Sequence, residues 1–290
     1  MTGGATGLPV VESQPGQTQG VVVAVCQLAP RVGQYEPNLE RAVEAIRTAA
    51  DHGARLVVLP ELATSGYVFH DVAEARSVAE PADGPSVRRL TALAAERELV
   101  VVAGLPELAG ETLYNSAVLV DGSGLRGVYR KVHLWDRESE FFSPGDAVAP
   151  VVDTAIGRIG VMVCYDLEFP EWVRSAALRG ADIICAPTNW PDSERPPGER
   201  PMEVVQAQAS ASFNRIFLAV AARTGEERGV QWVSGSTIID PTGYPLVLTD
   251  PSVEEQVLLA PCRLEDARTK RHGASNDVFS DRRTDLYAGQ

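Results

Sequence analysis

The 290-residue sequence predicts an α/β fold in one domain, on three observations. Short apolar runs rich in β-branched residues recur along the chain and mark buried strands. Several are followed by segments whose apolar residues fall at helical spacing. No repeat and no linker of biased composition divides the chain, and α/β folds of this length often form one domain.

The elements follow in order. Residues 1–19, rich in Gly, Thr, Gln and Pro, read as a flexible N-terminal lead-in, with the folded domain over residues 20–290. Residues 21–28 form the first strand. Residues 38–50 carry Leu39, Val43, Ile46 and Ala50 at near-helical spacing, and Gly53 closes the helix. Residues 56–59 are the second strand. Ser86 is a candidate cap for a helix running toward Glu98. Residues 99–103 and 113–120 read as strands, the latter ending in an Asp121-Gly122 turn. The loop 135–148 is polar and aromatic. A strand at 159–163 precedes a helix that opens at Pro170 and stops at Gly180. Strands at 182–186 and 216–221 flank an exposed, Pro-rich loop at 191–200 and a helix at 202–213. Residues 229–240, 245–248 and 254–259 read as the last strands. Strand–helix units with paired strands between them suit two sheets packed face to face with helices outside.

Bulk properties narrow the function classes. A hydrophobic share of 44% and a charged share of 22% suit a soluble globule. The net charge of −13 argues against nucleic acid and against an anionic membrane surface, because both attract positive charge. No apolar run approaches the roughly 20 residues of a membrane helix, and the N-terminal residues lack a signal-peptide pattern. Cys26, Cys164, Cys185 and Cys262 are far apart and form no metal or disulfide spacing, so a reducing, cytoplasmic setting is expected, without metal or cofactor.

Three segments concentrate reactive groups. In RIGVMVCYDLEFPEW (158–172), Cys164 sits where a strand turns toward a helix, with Asp166, Glu168 and Glu171 close behind. Ligands gather at such ends of open α/β sheets, and nearby backbone N–H groups can receive an oxyanion. A lone strand cysteine is also a common core hydrophobe, and that reading stands beside the nucleophilic one. In LVVLPELATSGY (56–67), Glu61 ends an apolar run, a costly place for a carboxylate without partners. In YRKVHLW (129–135), Lys131 lies among aromatic and apolar neighbours. Together Glu61, Lys131 and Cys164 are a candidate base, electrophilic stabiliser and nucleophile.

These segments, with LYNSAVLV around Asn115, SEFFSPGD and PTNWP, resemble the nitrilase superfamily, the carbon–nitrogen hydrolases, from about Val21 to Tyr287. The resemblance implies an αββα sandwich and a homodimer that stacks two such units. It implies a Glu61–Lys131–Cys164 triad acting on a small-molecule amide through a thioester, and Glu138 as a supporting carboxylate on Lys131, with Glu140 as local rival. The backbone N–H of Tyr165 is the expected second oxyanion donor. Tyr67, Tyr165 and Trp190 are candidate substrate-binding residues, with rim packing as the alternative for Tyr67 and Trp190. His133 is read as a structural hydrogen-bonding residue, Asn115 as a loop-holding side chain, and Cys26, Cys185 and Cys262 as core. After the cysteine, Tyr165-Asp166 departs from the Trp-Glu usual in true nitrilases. The expected activity is therefore amidase action on small aliphatic or aromatic primary amides, with N-carbamoyl amino acid or amine hydrolase and omega-amidase as alternatives. A nitrilase, or a non-catalytic binding protein on the same fold, ranks below these.

Overall fold

The structure, a computed structural model, describes residues 7–13 and 20–287. Along the chain it forms β1 (Val10–Glu12), β2 (Val21–Gln27), α1 (Tyr35–Asp51), β3 (Leu56–Val58), α2 (Val72–Ser77), α3 (Pro85–Arg97), β4 (Val100–Ala109), β5 (Thr112–Asp121) and β6 (Gly124–Arg130). There follow β7 (Val151–Thr154), β8 (Gly157–Val161), α4 (Pro170–Leu178), β9 (Ile183–Thr188), α5 (Met202–Asn214) and β10 (Phe217–Ala222). The last part holds β11 (Glu226–Glu227), β12 (Val230–Gln231), β13 (Thr237–Ile239), β14 (Pro245–Leu248), β15 (Gln256–Cys262), the short pair β16 (Arg271–His272) and β17 (Asn276–Asp277), and α6 (Thr284–Tyr287).

Two sheets pack face to face. One has the order β1-β15-β2-β3-β4-β5-β6, the other β14-β13-β10-β9-β8-β7. Period-two alternation decides which side chains meet between them. Val23 and Val25 of β2, Leu56 and Val58 of β3, and Val100 and Val102 of β4 join Ile159, Ile183 and Cys185 in one buried cluster. Their neighbours Ala24, Cys26, Val57 and Val101 face the other way, against Leu39, Val43 and Ile46 of α1 and Leu90 and Leu93 of α3. Helices α4 and α5 cover the outer side of the second sheet through Val173, Ala177, Val204 and Ala211. The expected αββα sandwich is therefore the observed one. Cys26, Cys185 and Cys262 are each no more than 1% exposed, as core residues.

Several local expectations change. The flexible lead-in expected over residues 1–19 is corrected at Val10–Glu12, which pair in parallel with Val257–Leu259 as an edge strand. The rest of that expectation, at residues 1–6 and 14–19, lies outside the described residues. Ser86 does not cap α3. Gly84 holds that place with Pro85 in the first turn, and Ser86 hydrogen-bonds Glu80. The run 229–240 is not one strand: β12 and β13 are separated by residues 232–236, where Trp232 turns inward and Ser234 has φ +56°. The expected strand at 159–163 ends at Val161, so Cys164 opens a 3-10 turn (Cys164–Glu168) instead of closing a strand.

One contact fixes the backbone of Glu61. A Cβ on Gly104 of β4 would stand 2.6 Å from the Glu61 Cα and 2.7 Å from the Leu62 nitrogen, inside any real contact distance. Gly104→Ala is expected to lower the unfolding free energy by about 1–3 kcal/mol, the usual penalty of overpacking. Chemical denaturation with a wild-type midpoint for this variant would contradict the contact.

Candidate active site

Glu61, Lys131 and Glu138 meet in a buried cluster at one end of the sandwich. Glu61 follows β3, Lys131 follows β6, and Glu138 lies in a 3-10 turn (Asp136–Glu140) seven residues on. Lys131 and Glu61 are wholly buried and Glu138 is 3% exposed. The Lys131 Nζ donates to Glu61 Oε1 at 2.9 Å and to Glu138 Oε1 at 2.7 Å. Tyr67 OH also donates to Glu138 Oε1, at 2.6 Å, and the Trp135 N–H donates to Glu138 Oε2 at 3.2 Å. Glu140 is exposed and pairs with Arg137 instead. Asn115 Nδ2 donates to Glu61 Oε1 at 2.7 Å, so Asn115 holds this carboxylate and not a loop. Glu61 Oε2 is buried and accepts no hydrogen bond.

Cys164 arrives from the second sheet. It is 5% exposed and its φ is +50°, a left-handed conformation that a non-glycine residue adopts at a cost. Its turn is held by Asp166, a wholly buried carboxylate. Asp166 accepts from Tyr129 OH at 2.7 Å and from the Val163 and His133 N–H groups at 3.0 and 3.2 Å, with His133 Nδ1 at 2.7 Å. His133 also stacks on Phe169 with centroids 3.8 Å apart. It is thus a scaffold group, as expected. Asn189, at the end of β9, joins the two halves. Its carbonyl receives the Cys164 thiol at 3.8 Å, and its Nδ2 donates to the Glu61 carbonyl at 3.0 Å.

Burial sets the protonation states. It pushes the Glu61 carboxyl up to about 7, against the pull of the Lys131 ammonium and with help from Glu138. Burial alone would lower Lys131, but Glu138 and Glu61 override it and hold the amine well above its usual range. The Cys164 thiol is raised by burial and then by Glu61, with Lys131 opposing. These shifts favour a neutral Cys164 thiol and a charged Lys131, and they let the Glu61 carboxyl exchange a proton near neutral pH.

A cavity of about 160 Å³ borders the cluster. Tyr67, Phe69, Phe141, Phe142, Trp135 and Trp232 make most of its wall, with Glu138 at its inner side and Asp136 and Arg137 at its rim. Tyr67 meets Trp232 edge-on at 5.3 Å. Of the three expected pocket residues, Tyr67 lines this cavity. Trp190 is buried beside it, with Pro191 on the wall, and Tyr165 packs edge-on against Phe169 at 5.0 Å. Trp232, Asn189 and Asp166 are site residues that the sequence reading did not single out. Asn189 stood in a noted motif, PTNWP, and the acid run after Cys164 included Asp166. Among the described residues no cluster of His, Cys, Asp or Glu is arranged to hold a metal ion. No helix among them is long and apolar enough to cross a membrane.

Comparisons with known proteins identify the family. The carbon–nitrogen hydrolase family model matches residues 22–272. The chain is 38% identical to a nitrilase of Pyrococcus abyssi over 268 residues, covering 92% of this chain and 99% of that one. It is 33% identical to the N-carbamoylputrescine amidase of Solanum lycopersicum over 287 residues, covering 92% and 93%. An amidase from Nesterenkonia sp. superposes with a TM-score of 0.76 at 29% identity, covering 95% of this chain and 97% of that one. A variant of that amidase is described with the acetamide moiety of fluoroacetamide added covalently at its active-site cysteine.

Asp166 gives a test of the scaffold. Asp166→Ala strands several buried donors, at about 1–3 kcal/mol for each such group, whereas Tyr129→Phe removes one hydrogen bond worth about 1 kcal/mol. In urea melts the first variant should be clearly the less stable; equal stabilities would contradict the pivotal role of Asp166.

Proposed function

The chain belongs to the carbon–nitrogen hydrolase family and is a hydrolytic enzyme acting on amides, and from that premise we propose that it hydrolyses small, uncharged aliphatic or aromatic primary amides. The observation that carries the reading is the buried Glu61–Lys131–Glu138 cluster facing Cys164 across Asn189.

In this mechanism Glu61 takes the thiol proton of Cys164, and the thiolate attacks the amide carbonyl. The Lys131 ammonium and the Tyr165 backbone N–H stabilise the oxyanion. Glu61 returns the proton to the departing ammonia, leaving a thioester. Glu61 then deprotonates the water that hydrolyses it. Glu138 holds Lys131 in place and is itself held by Tyr67, and Trp190 supports the pocket beside Pro191.

Charge around the cavity supports a neutral substrate. Arg137 is paired with Glu140, Arg228 with Glu74, and Arg223 with Glu227. Each guanidinium near the wall thus has its carboxylate, which disfavours substrates that carry one, such as N-carbamoyl amino acids. An N-carbamoyl amine is the second reading, because the exposed carboxylate of Asp136 on the same wall suits an ammonium group. The four cysteines are all free, in keeping with a reducing, cytoplasmic setting. Met202 and Phe213 of α5, each 63% exposed, and Leu178 of α4, 43% exposed, support a homodimer formed through this outer layer.

Two experiments test the reading. Ammonia release is measured from simple amides, nitriles and N-carbamoyl compounds, with Cys164→Ala and Glu61→Gln beside the wild type. Turnover of simple amides, lost by several orders of magnitude in both variants, is expected; full activity in either variant sinks the assignment. Because Glu61 must be ionised to act as base, kcat/KM should rise with pH through about 7. Asn115→Ala, which removes a hydrogen bond that lowers the Glu61 pKa, should move that limb to higher pH. A limb that stays put would separate Asn115 from the base. For the assembly, light scattering should give a dimer that Phe213→Glu weakens; a monomeric wild type would refute it.

A further inference from the structure

The last buried ion pair near the site touches no atom of the cluster. Arg223 and Glu227 are 2% and 6% exposed. Arg223 Nη1 donates to Glu227 Oε2 at 2.8 Å. Removing two charges from water is expensive, and well-packed apolar residues often serve stability as well. Stability alone is therefore a weak reason for this pair.

Its contacts give a stronger one. Glu227 Oε2 also accepts the backbone N–H of Tyr67 at 2.9 Å and that of Val68 at 2.8 Å. Arg223 Nη2 donates to the Pro30 carbonyl at 2.8 Å, in the loop after β2. The Arg223 guanidinium lies 4.5 Å from the centroid of Trp232, whose ring meets Tyr67. The pair thus grips Tyr67 at its backbone and, through Trp232, at its ring. Gly66 shows how tightly. Its φ is +74°, and a Cβ there would stand 2.3 Å from the Val32 nitrogen and 2.6 Å from Glu227 Oε1. Arg223 follows β10 in the second sheet, and its neighbour Thr224 donates to the Leu28 carbonyl at the end of β2. The pair therefore ties the second sheet to the loop that presents Tyr67 from the first.

We propose that the Arg223–Glu227 ion pair is a positioning unit for the reaction: by fixing Tyr67 it sets the place of Glu138, and through Glu138 that of Lys131. Tyr67 OH and Lys131 Nζ share Glu138 Oε1, at 2.6 and 2.7 Å. A shift of the Tyr67 loop is passed directly to the ammonium that receives the oxyanion. This rests on the assignment of Lys131 and Glu138 to the reaction.

The test compares Glu227→Gln, Tyr67→Phe and their combination, with unfolding midpoints measured beside activity. Glu227→Gln should lower kcat/KM by about 10- to 100-fold, the scale of a small misplacement of reacting groups. Most of the loss should fall on kcat. Added to Tyr67→Phe it should cost little more, since both act through one hydrogen bond. Independent, multiplying losses would overturn the proposal, as would wild-type kcat/KM in Glu227→Gln. Should Glu227→Gln fail to fold, Arg223→Met with Glu227→Leu removes both charges together. A folded double variant with full activity also overturns the proposal. The rate at which iodoacetamide alkylates Cys164 is measured in the same set and needs no turnover. A wild type silent on every amide would defeat the amidase reading, while the same non-additive pattern in alkylation would still support the positioning unit, and an additive pattern would defeat it.

Discussion

The Lys131 ammonium, buried between the Glu61 and Glu138 carboxylates, is the constraint on which the site depends. One cation faces two acids, and all three have left water. Attraction at these distances is strong in a low-dielectric interior, but desolvation opposes it, so the arrangement persists only where geometry and hydrogen bonds are good. Glu138 has three donors: Lys131, Tyr67 and the Trp135 N–H. Glu61 has two, on one oxygen, and its other oxygen has none. This asymmetry supports the proposed roles. Glu138, held by three donors, anchors Lys131, and in the proposed mechanism Glu61, lifted to about 7 by burial, takes and returns the proton.

The sandwich supplies what no single sheet can. Glu61 and Lys131 stand at strand ends of the first sheet, and Cys164 and Asn189 at strand ends of the second. The interleaved valines and isoleucines of β2, β3, β4, β8 and β9 bring those ends together. Asn189 then holds the Cys164 thiol with its carbonyl and the Glu61 backbone with its amide. Asp166 keeps Cys164 in its left-handed turn by tying Val163, Tyr129 and His133 to one carboxylate. Hydrophobic packing sets the coarse position, and buried polar contacts with defined partners set the fine one.

Glu61 and Cys164 each carried a signal because they follow a short apolar run, where a charged or reactive group needs a reason, and Lys131 because it stands among aromatic and apolar neighbours. The two-layer arrangement was legible from strand–helix alternation, and the resemblance sharpened it. Glu138 and Glu140 were not separable by pattern; burial against Lys131 separates them. Asn115 was misread because its partner lies 54 residues away, and Glu227 carried no signal because Tyr67 lies 160 residues away. Local failures have local causes. Ser86 looks like a helix cap, yet Pro85 already fills the first turn and Glu80 claims the hydroxyl. The edge strand at Val10–Glu12 is three residues long and gains its meaning only from β15.

The central claim is that Cys164 carries the acyl group and that Glu61 is needed both to form and to release it. The most direct measurement is the intact mass of the wild-type protein, quenched in acid during steady-state turnover of a simple amide, followed by peptide mapping, with Glu61→Gln and Cys164→Ala beside it. The account predicts a mass increase equal to the acyl group, confined to the peptide containing Cys164 and absent in both variants. Ammonia release without any such adduct, or an adduct on another residue, would contradict it.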